Sequence, residues 1–164
     1  MWRTGHSPIK SKMRELNAPL AGEMSGHIFF SDRYYGFDDA IYAAVRLLDL
    51  VVRSQNPLSK LRESLPKTCH TPEIRIPCSD SHKFQIIEAV YESLAELKGI
   101  EVNRLDGVRV TTQDGWWLLR ASNTQPVLVA RCEGKTKTQL ENLKLMLNQE
   151  LKKHDIDLEN LISS

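Results

Sequence analysis

The chain is predicted to be an α+β protein built in two unequal parts, and three observations carry that expectation. From Glu73 onward the pattern runs strand, helix, a meander of strands, helix. Asp106-Gly107 and Gln113-Asp114-Gly115 punctuate the meander where hairpin turns belong. The stretch before Gln55, by contrast, holds two amphipathic helices and barely one strand. The second part therefore predicts a four- to five-stranded, mainly antiparallel sheet with two helices on one face. The first part reads as an incomplete α/β unit. The expected division is 1–56, a linker over 57–72, and 73–164, with the boundary falling between Gln55 and Pro72.

Taken in order, Ser7-Pro8 reads as an N-cap followed by proline at the first helical position. Ile9, Met13 and Leu16 then share one helical face, and Asn17 to Leu20 breaks the helix. Ile28-Phe29-Phe30 is a short strand candidate. Asp38 to Arg53 reads as an apolar helix with Ile41, Val45, Leu48 and Val52 on one stripe, its aspartates favouring the positive helix end. A short helix over Leu58 to Leu65 stops at Pro66. Arg75 to Cys78 is a strand candidate. Asp80 or Ser81 caps a helix with Phe84, Ile87, Tyr91 and Leu94 on one stripe, closed by Gly99. Strands are expected over Ile100 to Leu105, Val108 to Thr112, Trp116 to Ala121 and Pro126 to Glu133. Thr138-Gln139-Leu140-Glu141 has a capping-box pattern opening a last helix, with Leu140, Leu143, Leu147 and Leu151 inward.

The 164 residues are 41% hydrophobic and 26% charged, ordinary for a soluble domain. Their 22 basic and 21 acidic side chains nearly cancel, which disfavours nucleic-acid partners. A sheet with Trp116 or Trp117 exposed is the one feature that suits single-stranded nucleic acid, and the charge balance argues against it. No apolar run approaches the roughly 20 residues that span a bilayer, and the first residues lack the apolar core of a signal peptide. No membrane partner is expected. Cys69, Cys78 and Cys132 have no metal-binding spacing; they read as reduced thiols in a cytoplasmic protein, with a Cys69–Cys78 disulfide as the alternative.

Two loops hold the chemistry. Gly22-Glu23-Met24-Ser25-Gly26-His27 offers a carboxylate, a hydroxyl and an imidazole within a short turn. Arg120-Ala121-Ser122-Asn123-Thr124-Gln125-Pro126 sets a guanidinium beside three small polar side chains, as a phosphate dianion would need. A plain hairpin turn has the same composition as the second loop, and both readings stand on composition alone.

Both loops, in this order, resemble the α-D-phosphohexomutase family, nearest its bacterial phosphomannomutase/phosphoglucomutase branch. Trp2-x-Thr4-Gly5-His6-Ser7, the Gly22 to His27 loop with Ile28-Phe29-Phe30, and Phe37-Asp38-Asp39 look like the third domain of those enzymes. Leu105-Asp106-Gly107-Val108-Arg109-Val110, Gly115-Trp116 and Arg120 to Thr124 look like the TATA-box-binding-protein-like fourth. The strong likeness covers Trp2 to Leu50 and Leu105 to Gly134. It implies that Glu23 and Ser25 bind sugar hydroxyls, and that Arg120, Ser122, Asn123 and Thr124 bind the non-reacting phosphate. Gln125 departs from the acidic or small residue often found there. His6 and His27 match positions near the reacting end of the sugar, where an imidazole assists proton transfer or hydrogen-bonds phosphate; a structural histidine fits each position equally well. Met24 and Asn123 stand where phosphoglucosamine mutases usually carry Gln and Gly, which favours unsubstituted mannose or glucose phosphates.

The family interconverts hexose 1-phosphate and hexose 6-phosphate through an enzyme phosphoserine and Mg2+. Neither the serine loop nor the aspartate loop that holds the metal is found here. The chain is thus expected to be the C-terminal part of a mutase that binds substrate but is inactive by itself, with no catalytic residue and no metal of its own. Its expected partners are hexose phosphates and the missing N-terminal domains, and the incomplete third domain is open to self-association. The alternative is a stand-alone phosphosugar-binding or interaction module.

Overall fold

The computed structural model describes residues 1–95 and 97–158. Glu96 and 159–164, the latter included in the expected C-terminal domain, lie outside the described residues. Contacts divide the chain into one unit over Met1–Pro66 and a second from Lys67 on.

The first unit contains α1 (His6–Leu16), β1 (Leu20–Gly22), β2 (Ile28–Phe30), α2 (Ala40–Ser54) and α3 (Leu58–Glu63). α1 starts after Gly5 rather than after the expected Ser7 cap. Pro8 therefore occupies the third helical position, where no intrahelical partner awaits its missing N–H. Asn17, left-handed at φ 49°, ends the helix, and the next residue's N–H returns to the Met13 carbonyl. The chain then enters β1, which pairs antiparallel with β2 in the register Leu20↔Phe30 and Gly22↔Ile28. β1 falls at the end of a stretch expected only to break the helix; three residues are too few to show strand alternation.

The buried core of this unit is Ile9, Met13 and Phe29, with Ala18 and Ala21 packed on it. α2 adds nothing buried. Its apolar stripe exists, but Ile41 is 80% exposed, and Val45, Leu48 and Val52 are exposed too. Asp39 caps α2 by accepting from the Tyr42 N–H at 2.9 Å, so the helix starts two residues later than expected. Arg46 anchors α2 to the segment after β2. Its guanidinium donates to both Asp32 carboxylate oxygens, at 3.0 and 2.9 Å, and lies 4.4 Å above the Phe30 ring.

The second unit contains β3 (Cys69–His70), β4 (Ile74–Pro77), α4 (Asp80–Leu94), β5 (Glu101–Asn103), β6 (Val108–Thr112), β7 (Gly115–Ala121), β8 (Val127–Gly134) and α5 (Lys137–Lys152). Every strand pairing in its sheet is antiparallel, in the order β8-β7-β6-β5. β3 and β4 pair with successive stretches of the same β8 edge. Six short strands thus fill five positions across the sheet. The segment 67–72, expected as linker, belongs to this unit. Cys69 and His70 pair with Gly134 and Glu133, and the Thr71 hydroxyl accepts from the Cys132 N–H at 3.1 Å.

The register Val110↔Trp117↔Cys132 places these three side chains on one sheet face, as does Val108↔Leu119↔Ala130. They form one buried cluster with Val90 and Leu94 of α4 and Leu143, Leu147 and Leu151 of α5, so both helices cover that face. Trp117 is the core member of the tryptophan pair, and Trp116 faces the other way, 4.7 Å beneath Arg109. All three cysteines are free, and burial pushes the Cys132 thiol up to about 12.

Two expected helix details shift. In α4, Phe84 is 58% exposed and the buried turn begins one residue earlier at Lys83. α5 is capped by Thr136, whose hydroxyl accepts from the Gln139 N–H at 3.2 Å, two residues before the expected Thr138. Two glycines are required where a turn presses against a neighbouring strand. A Cβ on Gly115 (φ +143°) would lie 2.1 Å from the Glu133 carbonyl oxygen. One on Gly107 (φ +83°) would lie 2.4 Å from the Leu119 carbonyl oxygen and 2.6 Å from the Arg120 Cβ.

Candidate functional site

In the first unit, residues 23–27 form the loop of the β1–β2 hairpin. The Glu23 N–H donates to the His27 carbonyl at 2.9 Å and the Gly26 N–H to the Glu23 carbonyl at 3.0 Å. Gly26 takes the positive φ that closes the turn. Glu23 reaches back to α1: its Oε1 accepts from the Gly5 N–H at 2.8 Å. That bond sets the first helical residue, His6, against His27, with ring centroids 4.7 Å apart and edge-on. His6 also meets the buried Phe29 ring edge-on at 5.4 Å.

Asp38 completes the group. It was expected as a helix-capping residue, but Asp39 caps α2 instead. An isolated bridge pairs Asp38 with Phe29, which brings its Oδ2 to 2.6 Å from His27 Nδ1 and 3.7 Å from His6 Nε2. A bond through Nδ1 leaves His27 Nε2 as the free end of the ring. The fold therefore brings His6, Glu23 and His27 together, while Ser25 stands exposed at the hairpin tip. The side chains of His6 and His27 are 50% and 45% exposed, so the group is open to a ligand. A cleft of about 510 Å³ elsewhere in this unit, lined by residues such as Lys10, Arg14, Asp32 and Tyr35, contains none of the expected site residues.

In the second unit, Ser122–Pro126 joins β7 to β8. Arg120 alternates with the core-facing Leu119 and so lies on the sheet face away from the helices, opposite Val129, which in turn pairs with Arg75. The loop is closed from within. Ser122 is buried; its N–H donates to the Val127 carbonyl at 3.0 Å. Its hydroxyl accepts from the Gln125 N–H at 3.2 Å and the Thr124 N–H at 3.4 Å. Asn123 and Thr124 are exposed. Arg75 donates to the side-chain oxygen of Gln125. From below, Lys83 Nζ donates to the carbonyls of Ser122 at 2.6 Å and Gln125 at 3.1 Å and pairs with Asp80 at 2.6 Å. With its side chain 4% exposed, this lysine is a buried cation under a loop whose upper rim offers small donors.

Sequence reasoning missed Gly5, Asp38, Arg75 and Lys83. Lys83 had a readable signal, because Lys83, Ile87, Val90 and Leu94 fall on one helical face, so a lysine on an otherwise apolar stripe needs an internal partner. Asp38 stands in the Phe37-Asp38-Asp39 motif, but the motif gives it no role: only the bridge to Phe29 separates it from Asp39. Among the described residues, one group of ligand atoms converges closely enough to hold a metal, namely His6, Glu23 and His27, with all three atoms within 4.8 Å of one another. Two imidazoles and one carboxylate do not suit Mg2+, which takes oxygen ligands in a strict octahedron. No magnesium chemistry is assigned to these residues.

Comparison with known proteins finds relatives for both units. Residues 1–69 match the family model described as phosphoglucomutase/phosphomannomutase, alpha/beta/alpha domain III, and 73–150 match its C-terminal domain. The phosphomannomutase/phosphoglucomutase of Pseudomonas aeruginosa is 48% identical over 158 residues, covering 96% of this chain and 34% of the relative. A phosphoglucomutase of Neisseria gonorrhoeae is 46% identical over 145 residues, or 87% of this chain and 31% of the relative. The crystal structure of a phosphoglucomutase/phosphomannomutase family protein from Burkholderia thailandensis superposes with a TM-score of 0.81 at 43% identity, over 93% of this chain and 32% of that one. The chain spans about a third of the length of these relatives. No helix among the described residues is long and apolar enough to cross a membrane. With two domain models in series and near-half identity along almost its whole length, the chain belongs to the phosphoglucomutase/phosphomannomutase family.

Proposed function

We propose that this chain carries the sugar- and phosphate-binding surfaces of a phosphohexomutase that interconverts hexose 1-phosphate and hexose 6-phosphate. The observation that carries the reading is the hairpin group. One Glu23 oxygen is held by the Gly5 N–H, which leaves the other to accept from neighbouring sugar hydroxyls, with Ser25 beside it. His6 and His27 lie next to that carboxylate, and the Asp38 bond orients His27 for hydrogen bonding or proton transfer at Nε2. On the second unit, Arg120, Ser122, Asn123 and Thr124 hold the non-reacting phosphate. Arg120 supplies the charge and Asn123 and Thr124 the exposed donors. Ser122, whose hydroxyl gathers two loop amides, sets the loop's shape. Met24 and Asn123 favour mannose and glucose phosphates over amino-sugar phosphates.

The phosphoserine and Mg2+ of the family's reaction would come from domains outside this chain, and the free thiols suit a cytoplasmic setting. Calorimetric titration with glucose 6-phosphate and mannose 1-phosphate tests the binding role. Removing the guanidinium in Arg120→Ala deletes a charge-assisted contact of about 1.5–3 kcal/mol, a loss of roughly 10- to 150-fold in affinity. Unchanged affinity would refute the phosphate assignment. Glu23→Ala in an intact mutase should abolish turnover, and normal activity there would refute the sugar assignment. A stand-alone binding module, by contrast, would gain no activity when mixed with the N-terminal domains of a relative.

A further inference from the structure

We infer that His6, Glu23 and His27 form a binding site for one first-row transition-metal ion of the Zn2+ or Co2+ type, apart from any magnesium the family reaction uses. The donor set is two imidazole nitrogens and a carboxylate oxygen, the combination such ions take in sites that keep an open position for water or ligand. The three ligand atoms lie within 4.8 Å of one another. Tetrahedral coordination, with bonds of about 2.0–2.1 Å, sets ligand atoms roughly 3.4 Å apart. His6 is exposed, so rotation of its side chain is the movement by which a metal would draw the set to that spacing.

The surroundings are those of an oriented ligand set. Histidine ligands commonly donate their second ring nitrogen to a carboxylate, which fixes the ring and raises the basicity of the other nitrogen. Asp38 Oδ2 sits 2.6 Å from His27 Nδ1, leaving Nε2 for a metal. The same oxygen is 3.7 Å from His6 Nε2. Glu23 is likewise held at one oxygen by the Gly5 N–H at 2.8 Å, leaving the other to coordinate. Two carboxylates beside two imidazoles give the pocket a negative balance that a dication neutralises. The ligands come from α1 and the hairpin, two elements pinned together by the small core of Ile9, Met13 and Phe29. The inference does not rest on the phosphosugar reading, although a metal on the free oxygen of Glu23 would displace a sugar hydroxyl from it.

Titration of the reduced 164-residue chain with Co2+, followed by visible absorption and by competition with Zn2+, tests the site. The expected result is one equivalent bound, with ligand-field bands of a nitrogen and oxygen site and no thiolate charge-transfer band. His6→Ala and His27→Ala should each weaken binding at least 100-fold, and Asp38→Asn about 10- to 100-fold, the usual effect of losing an outer-shell partner. Cys69→Ser and Cys78→Ser should change nothing. NMR of the unaltered chain provides a readout independent of mutation: Co2+ should broaden the ring signals of His6 and His27 and spare those of His70, His82 and His154. The inference is overturned if Co2+ fails to bind at millimolar concentration, if binding survives both histidine substitutions, or if it follows the cysteines. Loss of phosphosugar binding in Arg120→Ala with no Co2+ uptake by the wild-type chain would reject this site alone.

Discussion

Lys83→Met is the sharpest test of how the loop between β7 and β8 keeps its shape. Besides lying 5.2 Å from the centre of the Phe84 ring, the lysine ammonium has three oxygen partners, and they do not carry equal weight. Asp80 is 76% exposed and regains water when its partner goes, so that pair contributes little. The Gln125 carbonyl also accepts from the Val127 N–H at 2.8 Å and keeps that bond. The Ser122 carbonyl, bonded to Nζ at 2.6 Å in a buried position, is the group left without its partner. An orphaned buried carbonyl costs about 1–3 kcal/mol. Methionine matches the lysine stem and removes the cost of burying a charge, which offsets part of that. A net loss of about 1–2 kcal/mol corresponds to a fall of roughly 5–15 °C in Tm for a domain of this size. Thermal unfolding followed by tryptophan fluorescence reads this unit well, since Trp116 and Trp117 lie within it and Trp2 is in the other. A Lys83→Met chain as stable as the wild type, with unchanged amide exchange at Ser122 and Gln125, would refute the view that this lysine clamps the loop.

Four further outcomes follow from the same structure. Gly115→Ala places a methyl group 2.1 Å from the Glu133 carbonyl at a positive φ, so a destabilisation of about 2–4 kcal/mol is expected in urea unfolding; a loss below about 0.5 kcal/mol would contradict the close strand approach. The Arg46 guanidinium holds the Asp32 carboxyl below the usual range, and the Tyr34 hydroxyl does the same for Asp39 while its own pKa is pushed up to about 12. Stability from the two carboxylates is present above their unfolded values and lost as pH falls through the lowered folded ones, so Asp32→Asn should flatten the acid limb of a circular-dichroism titration below about pH 4. Iodoacetamide at pH 8 should modify the half-buried Cys69 and Cys78 before Cys132, whose burial keeps it a thiol; equal rates would overturn that order. Leu48→Glu, on the exposed stripe of α2, should lower any concentration-dependent association seen in sedimentation, and a wild-type chain that stays monomeric at high concentration would contradict self-association through this helix.

The second unit was largely legible in the sequence because its signals are local and mutually consistent. Asp106-Gly107 and Gln113-Asp114-Gly115 mark the turns, and period-two alternation through Val108, Val110, Trp117 and Leu119 marks the core face. β3 was not legible: two residues show no period, and only their pairing with β8 makes them a strand. In the first unit the α2 stripe is plain in the sequence, yet the stripe does not say what covers it, and among the described residues of this unit it buries nothing. At the site, Glu23, His6 and His27 stood out as residue types in a motif. The aspartate that orients one of them did not, because Asp38 and Asp39 differ only in which way each side chain turns after an extended bridge.

The tight turn at Gly107 is also a limit on what can evolve beside Arg120. The missing side chain leaves the space that the arginine stem occupies, 2.6 Å from where a methyl group would sit. A substitution there would strike at the arginine directly, and with it at the phosphate contact proposed for that residue. Drift in a surface turn, ordinarily the most tolerant part of a protein, would in this chain register as a change in what the opposite strand can hold.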